Sequence, residues 1–122
     1  MNRLTVILIV ALVGVLSSCG KSTPSITRVI VKSDSQGVVF DSQDSSELSS
    51  VQDLFEGKKE EADAGPDFMY FIDITVADKT VRWQYSEEGY LREYGTGKPN
   101  TIIYQIQDVD KFNQLIHVRQ SQ

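Results

Sequence analysis

Cysteine is nearly absent from this chain: Cys19 is the only one in 122 residues. No disulfide can form within the chain, although small secreted domains commonly rely on several. Stability has to come from packing and hydrogen bonding instead. Histidine is equally scarce. With His117 alone, metal sites built on two or three imidazoles are excluded. Its place near the end of a short predicted helix suits a cation favoured by the helix dipole. Basic residues are also few, 12 Lys and Arg against 17 Asp and Glu, for a net charge of −5. That balance argues against nucleic acid as a partner, because neutralising phosphates takes clustered Lys and Arg. It gives no attraction to an anionic membrane surface either, so membrane attachment would need a lipid. The length allows one domain.

One long apolar run is present. Leu4 to Leu16 is 13 residues, interrupted by Thr5 and Gly14 and preceded by Asn2-Arg3. This fits the apolar region of a signal peptide and falls short of the roughly 20 residues that span a bilayer. The run closes on Leu16-Ser17-Ser18-Cys19, which resembles the lipobox of bacterial lipoproteins. The resemblance implies diacylglyceryl transfer to the Cys19 sulfur, cleavage between Ser18 and Cys19, and often N-acylation. Each buried CH₂ contributes about 0.8 kcal/mol, so one chain anchors reversibly and two or three anchor stably. The single thiol would become a thioether, which excludes a thiolate nucleophile and cysteine-ligated metals. In Gram-negative families an Asp after the cysteine commonly favours the inner membrane; Gly20 stands there and points to the outer membrane in such an organism.

The expected organisation is a cleaved signal peptide over 1–18, a lipidated Cys19 and tether over 19–25, one domain over 26–118, and a frayed end over 119–122. Removal of Arg3 with the signal would leave 104 residues at a net charge of −6.

Within the domain, Ile26 to Lys32 is rich in β-branched residues and predicts a strand, with Ser33 to Gly37 as a loop and Val38 to Phe40 as its hairpin partner. Asp34 and Asp41 lack the spacing of a calcium loop and read as turn residues. Asp44 to Glu61 predicts a helix. Asp44 precedes Glu47 by three residues in the manner of a capping box, and Leu48, Val51, Leu54 and Phe55 form one apolar stripe. Phe68, Tyr70, Ile72, Ile74 and Val76 alternate with Met69, Phe71, Asp73 and Thr75, and the former face should meet that helix. After a turn at residues 77–80, Val81, Trp83 and Tyr85 continue the alternation, giving the strongest hairpin. Asp73 and Arg82 should pair across it. Tyr90 to Tyr94 is a further strand candidate, Gly95 to Asn100 a longer loop, and Thr101 to Ile106 a last strand. Asp108 suits an N-cap before a short helix carrying Phe112, Leu115 and Ile116.

The fold expectation is α+β: an antiparallel sheet of five or six strands with two helices on one face. Its strand and helix order, with Gly65-Pro66-Asp67-Phe68 and Thr101-Ile102-Ile103-Tyr104, resembles the small YhfM-like domain of bacterial lipoproteins over roughly residues 26–116. That resemblance implies the architecture and no residue roles.

Catalytic signatures are weak. Gly95-Thr96-Gly97-Lys98 has Arg92 and Pro99 where a phosphate loop needs Gly and Ser or Thr. No serine sits in a nucleophile elbow, and the acidic residues fall mainly in turns and caps, so no catalytic residue, metal or cofactor is assigned. The aromatic residues Tyr70, Trp83, Tyr85, Tyr90, Tyr94 and Tyr104 carry more promise. Trp83, Tyr85 and Tyr94 are the expected binding face, should alternation gather them on one side. The functional expectation is a non-enzymatic, lipid-anchored binding module of the cell envelope, with an envelope protein or glycan as partner. The alternative is an inhibitor or immunity protein that blocks a secreted enzyme or toxin through its acidic surface. A small hydrolase comes third and requires a concave site with His117 or two carboxylates.

Overall fold

A computed structural model describes residues 24–62, 67–95 and 97–119. The expected signal peptide, Cys19 and the last three residues lie outside them. The elements in chain order are β1 (Ile26–Ser33), β2 (Gly37–Ser42), α1 (Ser45–Glu56), β3 (Lys59–Glu60), β4 (Tyr70–Val76), β5 (Lys79–Tyr85), β6 (Tyr90–Gly95), β7 (Lys98–Gln105) and α2 (Val109–Leu115). The strands form one sheet in the order β2-β1-β4-β5-β6-β7-β3. Every pairing among them is antiparallel. The α+β class holds, with seven strands in place of five or six.

The additional strand comes out of the predicted helix. Gly57 caps α1 at its C-terminus, where the glycine entropy penalty disfavours continuation. No apolar residue at Lys58 or Lys59 extends the buried stripe. Lys59 and Glu60 instead pair with Gln105 and Tyr104 of β7, and the Glu61 N–H donates to the Ile103 carbonyl at 2.8 Å. The expected loop over 95–100 is mostly strand, since Tyr94 pairs with Pro99 and Gly95 with Lys98. Proline is tolerated there because β3 pairs only with residues 104 and 105 of β7, which leaves Pro99 on an open edge.

Asp44 caps α1 as expected, but the capping box is relayed. The Asp44 carboxylate accepts the Ser46 N–H, while the Asp44 N–H donates to Ser42 Oγ at 3.1 Å. That hydroxyl in turn donates to Glu47 Oε1 at 2.7 Å. Ser42, buried at the end of β2, stands between the two halves of the box. At the other end of the chain, Asp108 accepts the Lys111 N–H and starts α2.

The core fills one face of the sheet. Val29, Val31, Ile72, Ile74, Tyr85 and Leu91 lie under Leu48 and Val51 of α1 and under Phe112 and Ile116. Each fully buried aliphatic side chain contributes about 1.5–3 kcal/mol. Phe55 of α1 meets Trp83 and Phe112 of α2 meets Tyr85; both rings rise from the same side of β5, so both helices pack there. Phe68 does not join them. It precedes β4, where strand alternation has not yet begun, and its ring lies 4.7 Å from the Arg92 guanidinium carbon on the opposite side.

Candidate functional site

The three expected aromatic residues do not share a surface. Tyr85 is fully buried. Its ring contacts Phe112 and Tyr70, and its hydroxyl donates to Asn113 Oδ1. Asn113 passes the chain on, donating from Nδ2 to the Glu87 carbonyl at 2.9 Å. Burial pushes the Tyr85 phenol well above the usual tyrosine range. Trp83 is half-buried on the same side, edge-to-face with Phe55 at 5.0 Å and with Tyr104 at 6.0 Å. Tyr94 lies on the opposite face, against Phe71 at 5.5 Å. The register explains this. Tyr85 pairs with Leu91, so 91 shares its side, and Tyr94, three positions further, points the other way. Only the length of the turn at 86–89 sets that parity.

Tyr94 belongs to a row of arginine and aromatic side chains on the face that the helices leave uncovered. Arg82 grips Asp73 through two parallel bonds, Nε to Oδ1 at 2.7 Å and Nη2 to Oδ2 at 2.9 Å. Its guanidinium carbon lies 4.9 Å from the centre of the Phe71 ring, which Tyr94 also contacts. Lys32 approaches the same carboxylate at 3.6 Å. Arg92 donates to Gln84 Oε1 at 3.0 Å while lying over Phe68, and Arg28 forms a two-bond pair with Asp41. These contacts bring four cations and two carboxylates together on one face of an acidic protein. The exposed acids Asp44, Glu47, Asp53 and Glu56 gather on and beside α1. Net charge concealed a segregation that only the sheet reveals.

The Arg82 bonds, chiefly, hold Asp73 below the usual carboxylate range, against the opposing effect of burial. A depressed native pKa contributes stability above the unfolded value near 3.9, and that contribution is lost as pH falls through the native pKa. Asp73→Asn should therefore cost about 1 kcal/mol near neutrality, since water screens the half-exposed Arg82. It should also flatten the loss of stability below about pH 4. Urea unfolding at pH 7 and pH 3 measures both; an equal Asn penalty at the two pH values would contradict the assignment.

A third feature is a cleft of about 560 Å³ whose lining includes Ser33, Ser35, Tyr70, Glu87, His117 and Arg119. His117 has a positive φ of 62° and acts as the left-handed residue that ends α2. The next N–H, of Val118, reaches back to the Asn113 carbonyl at 2.9 Å, the closure glycine usually permits. The imidazole is exposed and lies edge-on to Phe40 at 5.1 Å. Ser33 and Ser35 hydroxyls face one another at 3.4 Å, and the Ser35 N–H donates to Ser33 Oγ. The cleft thus offers polar contacts to a small ligand, and its serines are bonded to each other instead of to the imidazole. Among the described residues, no group of three or more His, Cys, Asp or Glu is placed to hold a metal ion. Nor is any described helix long and apolar enough to cross a membrane.

No family model, no curated protein and no solved structure matches the chain.

Proposed function

We propose that this chain is a lipid-anchored, extracytoplasmic binding module, tethered through Cys19, that docks an acidic envelope protein on the uncovered sheet face. The observation that carries this is the row Arg92–Phe68 and Arg82–Phe71–Tyr94. Arginine and tyrosine dominate interface energetics, and here both arginines are held by cross-strand bonds, with Tyr94 packed edge-on to Phe71, before any partner arrives. The excess of cations on this face favours a partner that presents carboxylates. The seven residues from Cys19 to Ser25 reach at most about 25 Å, keeping the domain close to the membrane. Gly20 favours the outer membrane where the cell has one, and the YhfM-like resemblance belongs to the same proposal without adding a residue role.

Anchoring and docking are separately testable. Cys19→Ala should abolish palmitate labelling and leave a larger, unprocessed precursor on a gel; labelling that persists would refute the anchor. A crosslinking pull-down from native envelopes should capture a partner with the native protein and lose it with Arg92→Ala, Tyr94→Ala. Trp83→Ala, on the other side of the sheet, should retain it. Capture unaffected by the Arg92 and Tyr94 changes would reject this face, and capture of glycan alone would replace the protein partner.

The acids exposed on α1 favour a second reading, an inhibitor or immunity protein against a basic secreted enzyme. It requires binding that weakens steeply with salt, survives the Arg92 and Tyr94 changes, and silences the enzyme. The cleft beside His117 is where a small hydrolase would work, and turnover abolished by His117→Ala would establish that instead.

A further inference from the structure

Trp83 has a different setting from Tyr94, and it carries a separate conclusion. Phe55, Trp83 and Tyr104 stand at steep angles, 82° between the first two rings and 67° between the last two. Three sides of a box result. The Lys58 ammonium occupies it, with Nζ 4.0 Å from the centre of Phe55, 5.3 Å from Tyr104 and 5.4 Å from Trp83. All three distances are within the roughly 6 Å over which a ring face attracts a cation. Three glutamates occupy neighbouring positions in the chain or the register. Glu56 precedes Lys58 by two residues and acts on it electrostatically. Glu60 stands directly opposite Tyr104, and Glu93 directly opposite Trp83, so both project from the same face as those rings.

We propose that Phe55, Trp83 and Tyr104 form a binding site for a quaternary ammonium group, with Lys58 as a resident plug that the ligand displaces. The fit of the present occupant is poor. A primary ammonium has three donors, and inside the box it makes one long bond, to the Phe55 carbonyl at 3.4 Å. Burial holds Lys58 below the usual lysine range despite Glu56. A quaternary ammonium has no N–H to satisfy and is the cation that aromatic cages bind best. Room for the displaced side chain exists: a cavity of about 190 Å³, lined in part by Phe55, Ile74 and Val76, opens beside Lys58. The neighbouring glutamates favour a purely cationic ligand such as choline over a zwitterion such as betaine, whose carboxylate would meet Glu60 and Glu93.

Trp83 is the only tryptophan in the chain, so its fluorescence reports the cage directly. Tetramethylammonium chloride, titrated into the full protein against sodium chloride of equal ionic strength, should produce a saturable change. Neutral tert-butanol should not. In Lys58→Ala the midpoint should fall about tenfold if the plug fills the cage nine-tenths of the time, and Tyr104→Leu, which retains apolar volume, should weaken it again. Choline should follow tetramethylammonium and betaine should bind more weakly. A linear response in both native protein and Lys58→Ala would overturn the site, as would an equal response to tert-butanol. Should Lys58→Ala not fold, Lys58→Gln removes the charge while keeping the stem, and the native titration stands on its own. Since the cage and the Arg92–Tyr94 row lie on opposite faces, loss of the docking reading leaves this one intact.

Discussion

Tyr85→Ala should lower the free energy of unfolding by about 3–5 kcal/mol, the usual loss when a buried aromatic side chain is deleted. A domain of this size has only about 5–15 kcal/mol in total. The reason lies in what Tyr85 joins. Its ring is packed between Tyr70 of the sheet and Phe112 of α2, and its hydroxyl meets Asn113 of the same helix. Removing it detaches α2 from β5. Tyr85→Phe keeps the ring and leaves Asn113 Oδ1 buried without its donor, at a cost of about 1–3 kcal/mol. Adding Asn113→Leu to Tyr85→Phe should return little of that loss, because the bond from Asn113 Nδ2 to the Glu87 carbonyl goes with it. Urea denaturation of the three variants measures the series. A loss under 1 kcal/mol for Tyr85→Ala would mean the helix is held by something else.

Gly89→Ala should destabilise by about 2–6 kcal/mol through two separable causes. Gly89 has φ +94°, and a Cβ there would meet Val109 Cγ2 at 2.5 Å and Cγ1 at 3.2 Å. The conformation alone costs about 1–3 kcal/mol for a residue with a side chain, and overpacking adds about 1–3 kcal/mol. The glycine cannot move away easily. Its N–H donates to the Ser86 carbonyl and its own carbonyl accepts the Ile106 N–H, both at 2.9 Å. These bonds tie the turn between β5 and β6 to the chain entering α2. Val109→Ala combined with Gly89→Ala should relieve the clash and leave the conformational part, a coupling that a double-mutant cycle isolates. Strictly additive effects would place the whole penalty in the backbone.

What was legible in the amino-acid order was what neighbours within four residues decide. The β4–β5 hairpin followed from period-two alternation, and its Asp73–Arg82 pair from counting back across the turn. The caps at Asp44 and Asp108 and the stripe on α1 were readable in the same way, while Tyr90 to Tyr94 was legible only as a strand candidate. Failures occurred where a distant partner outweighed the local signal. Lys59 and Glu60 continue a helix by pattern, yet the open edge of β7 offers their backbone a ladder. Phe68 continues an alternation by pattern, yet Arg92 draws it to the other face.

The candidate binding residues divide along the same line. The sequence alone determined which side chains are candidates: one tryptophan, a set of tyrosines, and a single cysteine after an apolar run. Tertiary structure decided where the tryptophan and the tyrosines stand. The register set by the turn at 86–89 buried Tyr85 and sent Trp83 and Tyr94 to opposite faces. The end of α1 brought Phe55 and Lys58 over Trp83, and the sheet order placed Tyr104 on the third side. An overall acidic composition likewise concealed a basic face. Charge is summed along the chain, while binding depends on where the sheet distributes it, and that distribution is fixed by contacts between residues far apart in sequence.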